Sequence, residues 1–129
     1  MNLRPTVLSV LFGCLLAHLC GGAVSRQDDL GSVPPNPPIN VYVLSFDGTQ
    51  AIVSWSNLDQ RTTTLILEKS TDGIRWTQAA TSHPKATKCM IDKLSASNSW
   101  SFRIRAQNAL GVSSLPSRPA TVTIYPASR

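Results

Sequence analysis

The chain has 129 residues, 12 basic and 7 acidic side chains, a net charge of +5, two histidines and three cysteines. The basic residues are scattered rather than gathered into a stripe with aromatic platforms, which argues against a nucleic-acid partner. Histidine and cysteine are too few to supply a metal centre readily, and the length allows one domain and a leader.

In chain order, the first stretch reads as a targeting signal rather than as part of a fold. Met1 to Arg4 carries one positive side chain, Thr6 to Leu19 is almost wholly apolar, and small residues follow at Gly21, Gly22, Ala23 and Ser25. This is the order of a secretory signal peptide, over residues 1–23, with cleavage after Ala23 or Ser25. The apolar run is shorter than the about 20 residues that span a bilayer, and His18 interrupts it, so no membrane span is expected. A lipoprotein signal at Cys14 or Cys20 is the alternative. Cleavage leaves one cysteine, Cys89, and one histidine, His83, so the mature domain stands on its hydrophobic core without an internal disulfide. Residues 24–33 are polar and acidic and are expected to form a flexible leader.

From Ile39 the pattern becomes short strands separated by turn chemistry. Ile39, Val41 and Val43 alternate with Asn40, Tyr42 and Leu44, and Asp47-Gly48 then turns the chain. Ala51, Val53 and Trp55 share one face of a second strand. Thr63 to Lys69 is a third, with Leu65 and Leu67 on one side and Ile66 and Glu68 on the other. A Ser70 to Gly73 turn leads to a fourth strand over Arg75 to Ala80 that holds Trp76. Thr87 to Asp92 is a fifth. The clearest alternation follows: Trp100, Phe102, Ile104 and Ala106 against Ser101, Arg103, Arg105 and Gln107. A strand with one buried and one wet face requires this. Val112 to Pro119 is a serine- and proline-rich loop, and Ala120 to Tyr125 closes the chain. Seven short strands with no helical period predict an all-β fold, a seven-stranded antiparallel two-sheet sandwich.

Taken together, these residues resemble a fibronectin type III domain over residues 34–126, followed by a short tail, 127–129. Pro34-Pro35 with Pro37-Pro38 resembles the proline lead-in of that family. Trp55, within IVSW, resembles its second-strand tryptophan. LEKSTDGIRW, residues 67–76, resembles the third strand, turn and fourth strand. Leu94, Trp100 and the run Phe102 to Asn108 with Gly111 resemble the leucine-to-tyrosine corner and sixth strand. One departure is that the corner tyrosine, whose hydroxyl bonds backbone upstream, is Trp100 here. Indole has a donor but no hydroxyl, so the bond is expected to survive only with a different reach. The resemblance implies an immunoglobulin-like order in which the second strand lies between the first and fifth. It also implies a binding, adhesion or spacer role outside the cell. Arg-Gly-Asp, the W-S-x-W-S motif and Asn-x-Ser/Thr are all absent from the sequence.

No residue pattern announces catalysis. His83, beside Pro84, and Cys89, on a strand facing the core, are not expected to meet as base and nucleophile. No enzyme activity, cofactor or metal is therefore expected. Cys89 reads as a small buried hydrophobe, with an intermolecular disulfide as its alternative. The structural core is expected at Trp55, Leu94, Trp100, Phe102 and Ile104. Two surfaces are candidates for binding. If Ala51, Val53 and Trp55 point inward, Ile52 points out, and Tyr42, Leu44 and Met90 join it in an apolar band. On the opposite sheet Lys69, Arg103 and Arg105 are expected, with Glu68, to form a basic outer face. The expected function is that of a secreted, non-catalytic extracellular matrix component or adaptor that binds an extracellular protein or matrix polymer. A soluble ligand or decoy for a cell-surface receptor is the alternative.

Overall fold

A computed structural model describes residues 32–126 of the chain. The segment expected to be a signal peptide, most of the expected leader and the tail lie outside the described residues. The described residues from Pro34 onward belong to one compact unit. Its strands are β1 (Ile39–Phe46), β2 (Gln50–Ser56), β3 (Thr62–Ser70), β4 (Thr77–Ser82), β5 (Lys88–Ile91), β6 (Ser99–Asn108) and β7 (Ala120–Thr123). They form a three-stranded sheet in the order β1-β2-β5 and a four-stranded sheet in the order β4-β3-β6-β7. Every pairing is antiparallel. This is the sandwich that the alternating patterns predict.

The inward rows of the two sheets supply the core. Ala51, Val53 and Trp55 of β2 face Leu65 and Leu67 of β3 and Phe102, Ile104 and Ala106 of β6, with Ile91, Leu94 and Ile124 closing the ends. Strict alternation puts every second side chain of β2, and of β6 from Phe102 onward, into this layer, and those side chains are all buried. Between β1 and β2, Asp47 and Gly48 both adopt positive φ, at 55° and 67°. Asp and Gly are among the few residues that tolerate this region.

Five expectations need correction. Ile39 does not join Val41 and Val43 inside; it is exposed. Asn40 has φ 55°, and the β1–β2 register shifts between Ile39 and Tyr42, so alternation breaks one residue after the strand begins.

Trp76 is not on a strand, because β4 begins only at Thr77. The Ser70 hydroxyl accepts the amides of Asp72 and Gly73, and the Asp72 carboxylate accepts those of Ile74 and Arg75. Four amides are thereby taken by side chains of the turn, and the ladder starts after them.

Trp100 is only half-buried and packs against the rim of the core. Its Nε1 donates to the Ser95 carbonyl at 3.2 Å. Cys89 is half-buried rather than enclosed, since β5 is an edge strand.

Lys69 is the fifth. It pairs with inward-facing Phe102, and its Nζ lies 5.3 Å from the centroid of the Trp100 ring. It therefore stands on the core side of the sheet, at its open end, and not on the outer face with Arg103 and Arg105. Leu65, Leu67 and Lys69 share one parity, and the backbone keeps that parity whatever the charge of the last residue.

Candidate functional site

The outer face of the three-stranded sheet carries a contiguous apolar surface. Register across the sheet aligns Leu44 with Ile52 and Ile52 with Met90 in one row. Tyr42, Leu44, Phe46 and Met90 are 57, 60, 48 and 46% exposed. Ile52, on the central strand between Leu44 and Met90, is half-buried by its neighbours. Phe46 completes the Tyr42–Leu44–Phe46 row of β1. Its parity with Tyr42 and Leu44 is legible in the sequence, although the Asp47-Gly48 turn follows it directly. An apolar surface of this kind is a contact surface in most settings. Below the Tyr42 end, a shallow hollow is lined by Tyr42, Ser54, Trp55 and Lys88. The buried Trp55 Nε1 has no hydrogen-bond partner among the described residues.

The outer face of the four-stranded sheet is different in kind. Arg103 Nε donates to Glu68 Oε1 at 2.6 Å, and Arg105 Nε donates to the same oxygen at 3.2 Å. The Arg103 guanidinium stacks 4.3 Å from the centroid of the Trp76 ring, and Arg105 Nη1 donates to the Ser114 carbonyl at 3.4 Å. On the neighbouring pair of strands, hydroxyls bond across at Ser99–Thr123, 2.9 Å, and Ser101–Thr121, 2.8 Å. With Lys69 elsewhere, the basic face reduces to two arginines, each already engaged within the domain. Trp76 was missed as the platform for Arg103 because its sequence position suggested a strand.

Four titratable groups among the described residues are perturbed: Asp59 and its partner Arg61, which the Asp59 carboxylate holds more firmly protonated, Asp72 and Cys89. The Arg61 side chain holds the Asp59 carboxyl far below the usual carboxylate range; burial opposes this, and the backbone amides of Asn36 and Arg61 reinforce it. The amides of Arg75 and Ile74, then the Ser70 hydroxyl, do the same for Asp72. Burial pushes the Cys89 thiol up, which keeps it a thiol rather than a reactive thiolate.

The hollow of about 600 Å³ lined by Asn57, Asp59, Thr62, Pro84, Lys85 and Thr87 is open to solvent on one side. Asp59, the carboxylate in its wall, is fully committed to Asn36 and Arg61. His83 is exposed, and its Nδ1 accepts the Lys85 amide at 3.1 Å. Among the described residues no three His, Cys, Asp or Glu side chains group together as metal ligands. No helix among them is long and apolar enough to cross a membrane.

No family model matches the chain. Solved structures do. The fn3 domain of the human collagen α-1(XX) chain is 20% identical, with a TM-score of 0.64, over 77% of this chain and 93% of that one. Domains A168–A170 of titin are 24% identical, with a TM-score of 0.64, over 71% of this chain; the match takes in 32% of the titin chain, about a third of its length. A β-1,2-glucanase from Parabacteroides distasonis is 16% identical, with a TM-score of 0.65, over 73% of this chain and 13% of its own. The same sandwich therefore occurs in a collagen, in a muscle protein and as a small part of an enzyme.

Proposed function

We propose that this fibronectin type III-fold domain is a secreted, non-catalytic binding module of the extracellular matrix, and that it engages an extracellular protein through the outer face of β1, β2 and β5. The observation that carries this reading is the apolar row Leu44–Ile52–Met90, flanked by Tyr42 and Phe46, on a surface that nothing within the described residues covers. A sandwich is a scaffold, and its function lies in what its faces display. Here one face displays apolar side chains, while the carboxylates of Asp59 and Asp72 are tied to neighbouring amides and arginines. The fn3 domain of a collagen chain, matched along nearly its whole length, supports a matrix setting. The leader, with its signal-peptide order, supports secretion.

Two measurements test this. The secreted protein is expected to begin near Val24 or Arg26, and an intact Met1 on N-terminal sequencing would rule out cleavage. Cells expressing the full chain are expected to leave it in their insoluble matrix. Ile52→Lys should release it into the medium while lowering its melting temperature by no more than about 4 °C. If Arg103→Glu with Arg105→Glu releases the protein and Ile52→Lys does not, the working surface is the opposite face.

A further inference from the structure

The residues around the apolar row are ordered in a way that identifies what covers it. Along β5 the outward positions are Lys88 and Met90, and strand parity carried one residue past Ile91 adds the exposed Asp92: basic, apolar, acidic. Along β1 they are Tyr42, Leu44 and Phe46: aromatic, aliphatic, aromatic. Along β2 they are Ser54, Ile52 and Gln50: polar, aliphatic, polar. All three series are centred on the row Leu44–Ile52–Met90. About that row the face is symmetric in polarity and opposite in charge. Lys88 and Asp92 are both exposed. The ion pairs among the described residues use Asp59, Asp72 and Glu68, and neither Lys88 nor Asp92 takes part in one.

A two-fold interface needs a surface that is complementary to itself. We infer that the partner of this face is a second copy of the chain, docked face to face about a two-fold axis that runs along the Leu44–Ile52–Met90 row. This rests on reading the face as the contact surface. Rotation about that axis keeps the row opposite itself and reverses each strand. Lys88 then meets the second copy's Asp92, twice per dimer. Tyr42 meets the second copy's Phe46, and Ser54 meets its Gln50.

The dimensions agree. Lys88 and Asp92 each lie two residues from Met90, about 7 Å along the strand. Facing sheets stand about 10 Å apart, a gap that a lysine and an aspartate side chain reach across together. Packed sheets cross at about 30°, which displaces the paired ends by about 4 Å, within the sweep of a lysine stem. The face is only three strands wide, so the contact falls near the lower bound of about 1,000 Å² for a specific interface. The dimer is therefore expected to be reversible, with a micromolar dissociation constant.

The test is sedimentation equilibrium of the secreted protein from micromolar to millimolar concentration. The wild type is expected to associate to a dimer. Lys88→Glu sets carboxylates against carboxylates, and Asp92→Lys sets ammonium groups against each other. Each variant alone should weaken association on the order of tenfold, since two pairs change sign. An equimolar mixture of the two variants has opposite charges at both contacts and should return to within a few-fold of the wild type. Only an interface in which position 88 meets position 92 gives this rescue. Single variants that associate like the wild type, or a mixture as weak as either variant alone, overturn the inference.

Ile52→Lys should abolish association. If it unfolds the domain on circular dichroism, the charge variants, at exposed positions, still decide the matter. A wild type that stays monomeric to millimolar overturns the dimer. Loss of matrix retention by Ile52→Lys would then leave the face as a contact surface for another protein, and unchanged retention would remove both readings.

Discussion

The two outer faces of this sandwich treat their side chains in opposite ways. On the four-stranded sheet, Glu68 accepts from both Arg103 and Arg105, Arg103 also stacks on Trp76, and hydroxyls bond in pairs across β6 and β7. That face meets its polar needs inside the domain. On the three-stranded sheet, Tyr42, Leu44, Phe46 and Met90 are exposed, and Lys88 and Asp92 find no ionic partner in the domain. A charged face is therefore not automatically the binding face. Charges already bonded to each other have less to gain from a partner than apolar area still in contact with water.

The comparison presumes one shared core, and the largest expected effect tests that. Trp55→Ala should cost about 3–5 kcal/mol in urea melts, much of the about 5–15 kcal/mol that holds a domain of this size. Trp55→Phe should cost under about 2 kcal/mol, because the lost indole donor has no partner to leave behind. A phenylalanine variant as damaging as the alanine one would mean that Nε1 is bonded after all.

The next effect bears on the internally matched face. Glu68→Ala removes the one acceptor that Arg103 Nε and Arg105 Nε share and leaves two half-buried guanidinium groups side by side. A loss of about 1–2 kcal/mol is expected in the same melts. A loss indistinguishable from zero would make this face an ordinary solvated surface and remove the contrast.

Acid should act on the turns. Asp59 and Asp72 are both held below their ordinary range in the folded domain. The unfolded chain therefore takes up protons first as pH falls, and their stabilisation, complete above the ordinary aspartate value of about 3.9, is lost below it. The melting temperature should fall below about pH 4, and Asp59→Asn should flatten that fall while lowering stability at neutral pH. A melting temperature independent of pH through that range would contradict the bonding of both carboxylates.

The smallest effect is expected where the exposed apolar face is broken deliberately. Ile52→Lys should change stability by only about 0.5 kcal/mol, while removing matrix retention and self-association. If it costs several times that, Ile52 belongs to the core and the face is narrower than its register implies.

How much of this was legible follows from residue periodicity. β6 declares itself because Trp100 to Gln107 alternates without a break, and β2 because Ile52 is flanked by Ala51 and Val53 inside. The topology and the Tyr42, Leu44, Ile52 and Met90 surface follow from those two strands and the resemblance. What escaped was local. A left-handed Asn40 throws Ile39 out of phase; Asn tolerates that region better than most residues, but the alternating pattern does not show that this one adopts it. The amides around Asp72 are claimed by side chains, which delays β4 past Trp76. The charge of Lys69 suggests an outer face, but its parity with Leu65 and Leu67 places it on the inner side, over Trp100.

Ser114 and Ser117 lie in the stretch that reads as a loop, and both are buried. The Ser114 amide donates to the Ala106 carbonyl at 2.7 Å while its hydroxyl accepts the Ala106 amide at 2.9 Å. Ser117 does the same for Ile104, at 2.9 Å for both bonds. Each serine thus satisfies both backbone groups of a β6 residue, using a hydroxyl where a neighbouring strand would use a carbonyl. Each hydroxyl hands its own proton to the next carbonyl, of Leu115 or Arg118. Pro116 and Pro119 nearby have no amide to offer. Beyond β7, then, the margin of the four-stranded sheet is sealed rather than extended, with little main chain left for a stray strand to lengthen. A stretch without regular strand geometry thus protects this part of the sheet from edge-to-edge pairing, the first step by which a sandwich can be drawn into a fibril.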